Sequence, residues 1–568
     1  MYNENDQSVV ITASPNDDVY LDDEYELNEI VLNDEGEIWM GTDSGRFPKP
    51  WTYGQFDDPV LLVIVFMIEK YGLSPEIRAD VVTLSRAFTS MVNSNDNLGV
   101  IVGRWDGKYS PYTSPLDWYS SVPIMKEYYE SDGGSGRYAQ CWVYAAMLNT
   151  ICRGIGLPTR LVTTYGSAHD GNRNLVLDKL FRKGPYNTHV QYRAEMLGNF
   201  HAWNEVWMKR NDLLEKYSGW QVIDATPQEL SNDYFRLGPT PIKRIKEGDI
   251  MQKFDSPFVY AEVNADVIHW ENDVFTGKLI FLKREKASVG LAIITKDYRT
   301  KKRKSRGRYQ EVTTLYKYEE QTPEERQSIL NASKQLNLTH LFEEKATGRG
   351  IRDEIQIKML DNMIRQPLIG RPLHINITLE NKVPLDSKVS ITVKVASVFY
   401  TGVSAKQIFY KPNKIINLKV GEKYVYQKTI RAKDYLNKLV EFEMVQIEAV
   451  VSSLSDQNAF WSEERTVEFK KPRLILRAKG VFRLHRYFKI EVYFRNPLPI
   501  KLTKCKLISY GQSMHNLREM SIDLIGGFKR VKFQRRFLPK TRGKSIILFI
   551  LNCKELKDII GRAIVEIY

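Results

Sequence analysis

A cysteine, a histidine and an aspartate in this 568-residue chain each stand at the edge of a predicted regular element. Cys141 follows a glycine-rich stretch and opens an apolar segment with helical spacing, which places it at or near a helix N-terminus. Unpaired amides and the helix dipole there favour the thiolate, the nucleophilic form of cysteine. His201 lies 60 residues further on in an aromatic run, and Asp224 ends a strand-like stretch 23 residues after it. These residue types are the parts of a thiol nucleophile, its base and the group that orients the base.

Each of the three signals is weak alone. A cysteine at the start of an apolar helix is usually a small buried hydrophobe, and a histidine in an aromatic run is usually a hydrogen-bonded core residue. Asp224 before Ala-Thr-Pro is typical of a turn. Because the same constellation occurs on unrelated folds, the three residues together predict only an acyl transferase or hydrolase with a cysteine nucleophile.

Longer motifs around these residues carry a family resemblance. From about Val10 to the C-terminus the chain resembles the calcium-dependent animal transglutaminases, of the tissue and clot-stabilising type. The motifs are Gln140–Val143, Gly156–Arg160, Ser167–Asp170, Asn199–His201 and Gly219–Glu229. The resemblance implies acyl transfer from a peptide glutamine side chain, through a thioester and with release of ammonia, to a lysine or polyamine amine. Cys141 would be the nucleophile, His201 the general acid and base, and Asp224 its orienting partner.

The resemblance also implies an α+β chain, with a papain-like core followed by two all-β, immunoglobulin-like domains. Beyond about Gly350, residues 374–379 and 389–395 alternate in the manner of half-exposed strands, and a second such block follows Pro472. We expect the core over residues 13–348 and the β domains over 349–470 and 471–568. Residues 1–12 resemble only the last strand of the family's N-terminal β-sandwich. Whether the chain is naturally short or a partial gene model is left open.

Two further residues take their roles from the resemblance. Trp105 matches a tryptophan that stabilises the oxyanion together with the Cys141 amide, a role that suits an indole N–H because it donates and cannot accept. Tyr400 resembles a tyrosine that hydrogen-bonds the catalytic sulfur in the closed state. Without the resemblance, both aromatic residues would be assigned to the core. Calcium would favour release of the β domains if it binds the open form more tightly.

Three oxygen-rich stretches resemble the family's calcium sites, and calcium takes six to eight oxygen ligands. Without a metal, residues 93–97 would be a plain Asn-rich turn. Glu320 and Glu325 would be an ordinary charged helix start, because Thr322–Glu325 has the shape of a helix cap. Asn97 replaces an aspartate of the first site, which would weaken calcium binding there. The predicted ligands are Asn93, Asn95 and Asn97 in the first site, Asp170, Asn172, Asn174 and Glu195 in the second, and Asn264, Asp266, Glu320 and Glu325 in the third and most complete site.

Two departures from the family pattern bear on the mechanism. Gly198 stands where the family has a second tryptophan, which walls the tunnel for the amine. A thiol-dependent glutamine deamidase or hydrolase on the same core is therefore the first alternative function. Ala139 replaces a glycine, which would cost roughly 1 kcal/mol if the backbone there needs a positive φ. A non-catalytic scaffold is the second alternative, because most of the N-terminal sandwich is missing.

The composition indicates a globular rather than a disordered chain, with 43% hydrophobic and 27% charged residues. The formal charge of +13 is interpreted as spread over the chain, with its densest run at Lys301–Arg308. That run is either a nuclear-import or polyanion-binding patch or a solvated loop, and the charge as a whole favours no specific nucleic-acid function. Four cysteines are too few for a disulfide framework and lack zinc-ligand spacing, so a reducing compartment is expected.

The N-terminus lacks a signal-peptide pattern, which predicts a cytoplasmic location and leaves unconventional secretion open. The apolar run Val60–Ile68 is too short to span a membrane and is expected to form a buried element. The expected partners are glutamine- and lysine-containing proteins and polyamines. Guanine-nucleotide inhibition, known in some members of the family, and a homodimer are both left open.

Overall fold

The computed structural model describes residues 13–95, 99–183, 189–273, 276–297, 309–342, 355–359, 367–382, 384–455, 460–511, 518–539 and 542–568. Three features of the sequence analysis lie outside these residues: the remnant strand within residues 1–12, Asn97, and the basic run Lys301–Arg308.

The helices of the described ranges lie mainly in the first half of the chain. Thr322 caps one of them as predicted, because its hydroxyl accepts a hydrogen bond from the Glu325 amide at 3.3 Å. The α-helices are Glu24–Ile30, Val60–Lys70, Pro75–Ala79, Val81–Val92, Val122–Glu130, Cys141–Gly154, Ile242–Glu247, Ser256–Asn264, Thr313–Tyr316, Pro323–Gln335, Thr339–Phe342 and Ala432–Tyr435.

Two sheets build the core that precedes the β domains. The six-stranded sheet has the spatial order Leu237–Pro241, Gly219–Asp224, Leu197–Met208, Thr159–Ala168, Ala292–Lys296 and Tyr309–Glu311. The four-stranded sheet has the order Leu279–Glu285, Asp266–Asn272, Val176–Lys183 and His189–Ala194, and its middle pair is parallel. Three strand pairs complete the core: Glu35–Met40 with Phe47–Thr52, Ile101–Gly103 with Gly136–Ala139, and Leu230–Ser231 with Tyr234–Phe235.

Apart from the short helix Ala432–Tyr435, the described C-terminal part is built of strands, so the predicted order of an α+β core and then all-β domains is confirmed. The strand patterns noted at residues 374–379 and 389–395 lie in Leu373–Asn381 and Ser387–Val398. The sheets, in spatial order, are Ile355–Met359, Leu373–Asn381 and Lys423–Ile430; Ser404–Leu418, Ser387–Val398, Met444–Ser453 and Phe460–Glu468; Ile475–Lys479, Phe488–Arg495 and Arg530–Phe537; and Arg518–Ile525, Leu502–Gly511, Gly543–Asn552 and Ile559–Ile567.

The chain folds into two compact units. The first comprises Met1–Lys358, Ile377–Val425 and Leu439–Val467, and the second comprises Met359–Asn376, Tyr426–Lys438 and Glu468–Tyr568. The first unit therefore holds the core together with most of the first predicted β domain. The boundaries 13–348, 349–470 and 471–568 stay a prediction.

The helix Cys141–Gly154, here named the cysteine helix, runs through the core of the first unit. Every residue from Cys141 to Arg153 is buried. Because the helix is enclosed on all sides, its apolar residues are not confined to one face, as they are in a helix at the protein surface. The helix ends before Gly156, whose φ of +84° lies in the left-handed region that favours glycine.

Three expectations need correction. The run Val60–Ile68 forms a helix that is only partly buried, because Leu61, Leu62 and Val65 are 52%, 51% and 47% exposed. Ala139 lies in the strand Gly136–Ala139 and not in a left-handed turn, so the glycine-to-alanine change carries no such strain there. A disulfide joins Cys505 to Cys553. The number of cysteines could not predict this bond, because the two residues are 48 positions apart and only the fold brings them together.

None of the helices in the described part of the chain is long and apolar enough to cross a membrane.

Candidate active site

Cys141, His201 and Asp224 come together at the start of the cysteine helix. Cys141 is the first residue of that helix and is fully buried. His201 Nε2 lies 2.6 Å from Asp224 Oδ2, and the Cys141 sulfur is close enough to the same imidazole to hydrogen-bond it. Because the carboxylate engages Nε2, Nδ1 is the ring nitrogen left to exchange a proton with the sulfur.

Neighbouring strands of the six-stranded sheet position the imidazole and the carboxylate. His201 lies in Leu197–Met208, here named the histidine strand, and Asp224 ends the antiparallel strand beside it. Asn204 of the histidine strand donates its side-chain N–H to the carbonyl of Ala145 at 2.9 Å. This bond ties the sheet to the cysteine helix, so the spacing of the three side chains is fixed by regular elements rather than by loops.

The electrostatic surroundings of His201 favour the imidazolium. Burial lowers its pKa, but the charge of Asp224, the hydrogen bond to it and the nearby Cys141 sulfur outweigh that effect and hold the pKa well above the usual value. Asp224 is itself fixed, since its Oδ1 accepts a hydrogen bond from the Thr226 amide at 2.8 Å. The site is therefore built to hold positive charge on the ring when the sulfur is negative.

A glutamine links Asp224 to a second buried carboxylate that sequence reasoning missed. Gln228 Nε2 donates to Asp224 Oδ2 at 3.2 Å and to Glu262 Oε1 at 3.1 Å. Glu262 Oε1 lies 3.9 Å from His201 Nε2, and Glu262 Oε2 has no hydrogen-bond partner among the described residues. Burial, with a further contribution from the charge of Asp224, raises the pKa of Glu262 to about 8. Gln228 and Glu262 are 34 positions apart, so no local pattern in the sequence signals this contact.

Trp105 and Tyr400 meet beside Cys141. The Trp105 indole N–H donates to the Tyr400 hydroxyl at 2.8 Å. That hydroxyl also lies within hydrogen-bonding reach of the Cys141 sulfur. Burial, and then the charge of Cys141, holds the pKa of Tyr400 well above its usual value, so the hydroxyl stays protonated. In this arrangement the Trp105 indole N–H is bonded to Tyr400 and is not available to another acceptor, and the Cys141 sulfur is covered.

An aromatic cluster holds Tyr400 in place. Its ring lies 4.8 Å from that of Phe200, 5.4 Å from Trp142 and 5.7 Å from Phe442. Gly402 ends the same turn with a φ of +84°, and a Cβ there would lie 2.3 Å from the carbonyl oxygen of Leu197. The turn therefore needs glycine both for its conformation and for its close approach to the histidine strand.

A cavity of about 1310 Å³ opens beside this cluster. Its lining includes His201, Trp105, Tyr400, Gln228 and Gly198. A Cβ at Gly198 would meet its nearest atom, the Phe200 carbonyl oxygen, at 3.4 Å, which is ordinary contact. A side chain at this position would therefore project from the cavity wall without forcing the backbone to move.

The second predicted calcium cluster fits the donor chemistry of calcium. Burial raises the pKa of Glu195 to about 7, with the nearby charges of Asp178 and Asp170 adding to the effect. Asp178 accepts from the side-chain amides of Asn172 and Asn174 at 3.1 and 3.3 Å, so the structure adds it to the predicted set. Crowded carboxylates of this kind repel one another, and a divalent cation would relieve that repulsion.

The third predicted cluster is also brought together, but cations of the protein balance its charge. Arg326 pairs with both Asp266 and Glu325, and Arg284 donates to Asp266 Oδ2 at 3.0 Å. Lys317 pairs with Glu320, whose Oε2 has no hydrogen-bond partner among the described residues. The Asn264 side-chain N–H is likewise without a partner there. Calcium binding at this cluster requires the guanidinium of Arg326 to move.

The first predicted cluster is described only in part. Asn93 is buried, and its side-chain N–H donates to the carbonyl of Phe235 at 2.7 Å. Its Oδ1 accepts from the Asn95 amide at 3.2 Å, and Asn97 lies outside the described residues. Across the described ranges, no three His, Cys, Asp or Glu side chains are arranged as a metal site in this conformation.

Comparisons with known proteins agree with this geometry. A family model described as the transglutaminase-like superfamily matches residues 124–225, the segment that contains Cys141, His201 and Asp224. The haemocyte protein-glutamine gamma-glutamyltransferase of Tachypleus tridentatus is 32% identical over 97% of this chain and 71% of the relative. Human protein-glutamine gamma-glutamyltransferase 2 is 32% identical over 96% of this chain and 78% of the relative.

A further human relative, protein-glutamine gamma-glutamyltransferase K, is 31% identical, and this chain spans 65% of its length. The crystal structure of red sea bream transglutaminase superposes with a TM-score of 0.83 and 29% identity, over 97% of this chain and 79% of that one. The predicted papain-like core with β-sandwich domains is therefore confirmed. The chain belongs to the transglutaminase family of acyl-transferring enzymes.

Proposed function

We propose that the chain is a calcium-dependent protein-glutamine gamma-glutamyltransferase, which forms isopeptide cross-links between glutamine and lysine side chains or attaches polyamines. The names of its relatives support the reaction class. The observation that carries the proposal is the 2.6 Å contact of His201 with Asp224, with the Cys141 sulfur within hydrogen-bonding reach of the same ring.

In the proposed first half-reaction, His201 takes the thiol proton and the Cys141 sulfur attacks the glutamine carboxamide carbon. The indole N–H of Trp105 and the Cys141 amide stabilise the oxyanion that forms. When the carbon–nitrogen bond breaks, the imidazolium protonates the leaving nitrogen and ammonia departs. The product is a thioester on Cys141, while Asp224 steadies the charged ring.

In the proposed second half-reaction, a primary amine attacks the thioester carbon and His201 takes a proton from the attacking nitrogen. The carbon–sulfur bond then breaks, the new amide is released and the sulfur regains a proton from the ring. Gln228 keeps Asp224 aligned through the cycle, because its amide holds the Oδ2 atom that faces His201.

Tyr400 is proposed as a latch that must leave before substrate enters. Its hydroxyl uses the Trp105 donor that the oxyanion needs, and Cys141 has no exposed surface while Tyr400 is in place. Calcium, held by Asp170, Asn172, Asn174 and Glu195 with Asp178, would supply the energy for opening if it binds the open form more tightly. The set Asn264, Asp266, Glu320 and Glu325, and the set Asn93, Asn95 and Asn97, are proposed as the other two calcium sites.

The test is calcium-dependent incorporation of a fluorescent amine into casein. Cys141→Ala should abolish incorporation, whereas Cys152→Ala, which removes a second buried thiol of the same helix, should retain most of it. Chelation of calcium should stop the wild type. Incorporation by Cys141→Ala at the wild-type rate would refute the proposal.

Hydrolysis of the thioester is the second candidate activity, and Gly198 favours it. Gly198 contributes no side chain to the wall of the cavity that His201 also lines, so nothing at this position would shield a thioester from water. Ammonia release measured against amine incorporation separates the two activities. Gly198→Trp should raise the incorporated fraction, and an unchanged fraction would exclude this role of the glycine.

A cytoplasmic location remains a prediction from the sequence. The disulfide between Cys505 and Cys553 is typical of an oxidising environment. Counting free thiols in the denatured protein, purified without reductant, would distinguish four free cysteines from two.

A further inference from the structure

The positive charge of the chain is concentrated at its C-terminal end. Residues Glu468–Tyr568 contain 24 lysines and arginines against seven aspartates and glutamates, a net charge of +17. The preceding 467 residues therefore carry −4 of the chain's total of +13. The interpretation of the charge as spread over the chain is wrong, and a domain this basic calls for an acidic partner.

One sheet of the second unit presents much of this charge on its outer face. Because side chains alternate along a strand, every second residue of Ile475–Lys479, Phe488–Arg495 and Arg530–Phe537 points to the same side. The cations on that side are all exposed, and we name them the basic face: Arg477, Lys479, Lys489, Arg495, Arg530, Lys532 and Arg536.

The pairing of the strands sets like charges opposite one another. Lys489 is the register partner of both Arg536 and Lys479, and Arg495 is the partner of Arg530. Side chains at such positions lie about 5 Å apart, where like charges repel and destabilise the sheet. This repulsion lowers the stability of the free protein, and an anionic partner bound to the face would neutralise the like charges.

One carboxylate lies within this face. Glu491 accepts from Lys532 at 2.7 Å and from Lys479 at 3.0 Å, and these hydrogen bonds, with one from Tyr493, lower its pKa to about 2. Within the described residues, neither Arg495 nor Arg530 has an ion pair. Most of the positive charge of the face is therefore left to solvent.

Apolar and aromatic side chains accompany the cations at one end of the face. Residues 480–487 connect the first two strands, and within them Val481 and Tyr487 are 61% and 65% exposed. Arg483 and Arg486 of the same connection are also exposed. Ile475, on the basic face itself, is 60% exposed. Cations beside exposed aliphatic and tyrosine side chains match the composition of surfaces that lie in a membrane interface.

We propose that the basic face and the connection 480–487 bind the surface of an anionic lipid bilayer. A pleated sheet face offers a broad surface to a planar partner, and each lysine or arginine near an anionic bilayer adds to the attraction. Val481 and Tyr487 would enter the headgroup region and lose contact with water. A linear polyanion, such as a single-stranded RNA or a sulfated polysaccharide, would use the cations and leave these apolar side chains solvated.

The test uses the full chain and vesicles of phosphatidylcholine, with or without 30% phosphatidylserine, in a sedimentation assay over a range of salt concentrations. Binding should require phosphatidylserine and should weaken as salt is added. The double variant Lys489→Glu and Arg530→Glu should bind these vesicles at least about 30-fold more weakly. The new carboxylates face Arg536 and Arg495, so the variant replaces repelling pairs with attracting ones and should keep its fold.

The matched control is Lys504→Glu with Lys554→Glu, which changes the net charge equally at exposed positions on or beside the other sheet of the same domain. It should bind within about threefold of the wild type if the location of the charge matters. Val481→Ser with Tyr487→Ser should weaken vesicle binding and leave binding to heparin unchanged. The proposal would be overturned if both double Glu variants lost vesicle binding equally, or if the wild type bound neutral vesicles. It would also be overturned if the chain bound RNA or heparin tightly without binding vesicles.

Discussion

The active site and the basic face hold their charges in opposite ways. Cys141, His201 and Asp224 are 0%, 7% and 1% exposed, and the imidazole is fixed by a 2.6 Å contact. The seven cations of the basic face are exposed, and a single carboxylate lies among them. In the buried set a low dielectric strengthens each contact, so single substitutions should be costly. On the exposed face water and salt screen each charge, so effects should be small and cumulative.

The largest effect is expected within the buried set. Asp224→Asn should lower kcat for amine incorporation by roughly 10³–10⁴-fold, because the amide cannot hold the His201 tautomer or stabilise the imidazolium. The measurement is steady-state incorporation together with thermal unfolding to verify the fold. Asp233→Asn, at an exposed position nearby in sequence, is the matched control and should retain activity. A loss below tenfold at Asp224 would place the orienting role elsewhere.

A smaller effect is expected at the latch. Tyr400→Phe removes the hydroxyl that receives the Trp105 hydrogen bond at 2.8 Å while leaving the aromatic cluster in place. The closed form should lose stability, and half-maximal activity should need roughly tenfold less calcium, since a hydrogen bond to a charged or polarised group contributes about 1.5 kcal/mol. The measurement is a calcium titration of amine incorporation.

The control for the latch is Tyr410→Phe, because Tyr410 is 46% exposed and belongs to the same β region. Its calcium titration should match that of the wild type. If half-maximal activity of Tyr400→Phe required more calcium than that of the wild type, Tyr400 would stabilise the open form. The proposal that Tyr400 acts as a latch would then be wrong.

The two thiols of the cysteine helix sharpen the contrast within the buried set. Burial raises the pKa of Cys152 to about 12, so at pH 8 only about one molecule in 10⁴ carries its thiolate. Because this fraction rises as pH approaches 12, alkylation of Cys152 should stay negligible below about pH 10. Iodoacetamide followed by peptide mass mapping should modify Cys141, and faster with calcium than without. Equal modification of both cysteines would show that burial does not separate them.

The smallest effect is expected on the exposed face. Glu491→Gln removes the one carboxylate among the cations and should strengthen binding to phosphatidylserine vesicles about fivefold, the contribution of one charge near an anionic surface. Vesicle sedimentation at low salt measures it. A change in binding as large as the effect of Asp224→Asn on catalysis would show that water and salt do not screen the charges of the basic face.

Local patterns in the sequence predicted the parts that depend on nearby residues. The start of the cysteine helix, the strand that ends at Asp224 and the Thr322 cap all follow from spacing and capping chemistry within a few positions. The alternation that predicted Ser387–Val398 as a strand is equally local.

Interactions between distant residues could not be predicted in the same way. The hydrogen bond between Gln228 and Glu262 joins residues 34 positions apart, and the one between Trp105 and Tyr400 joins residues 295 positions apart. No periodic pattern in the sequence predicts such contacts. The pairing of Arg326 with Asp266 also required the fold, because the sequence shows both charges without showing that they neutralise each other. The net charge of the whole chain, +13, did not reveal the basic face, because a net charge of −4 on the first 467 residues partly offsets the +17 of the C-terminal residues.

The most direct measurement of the central claim is the mass of the acid-quenched enzyme after mixing with calcium and a glutamine-containing peptide, with no amine present. The mechanism predicts one peptide added with the loss of one ammonia, and fragmentation should locate the thioester on Cys141. Release of ammonia with no adduct at Cys141, or with the adduct on another residue, would contradict nucleophilic catalysis by this sulfur.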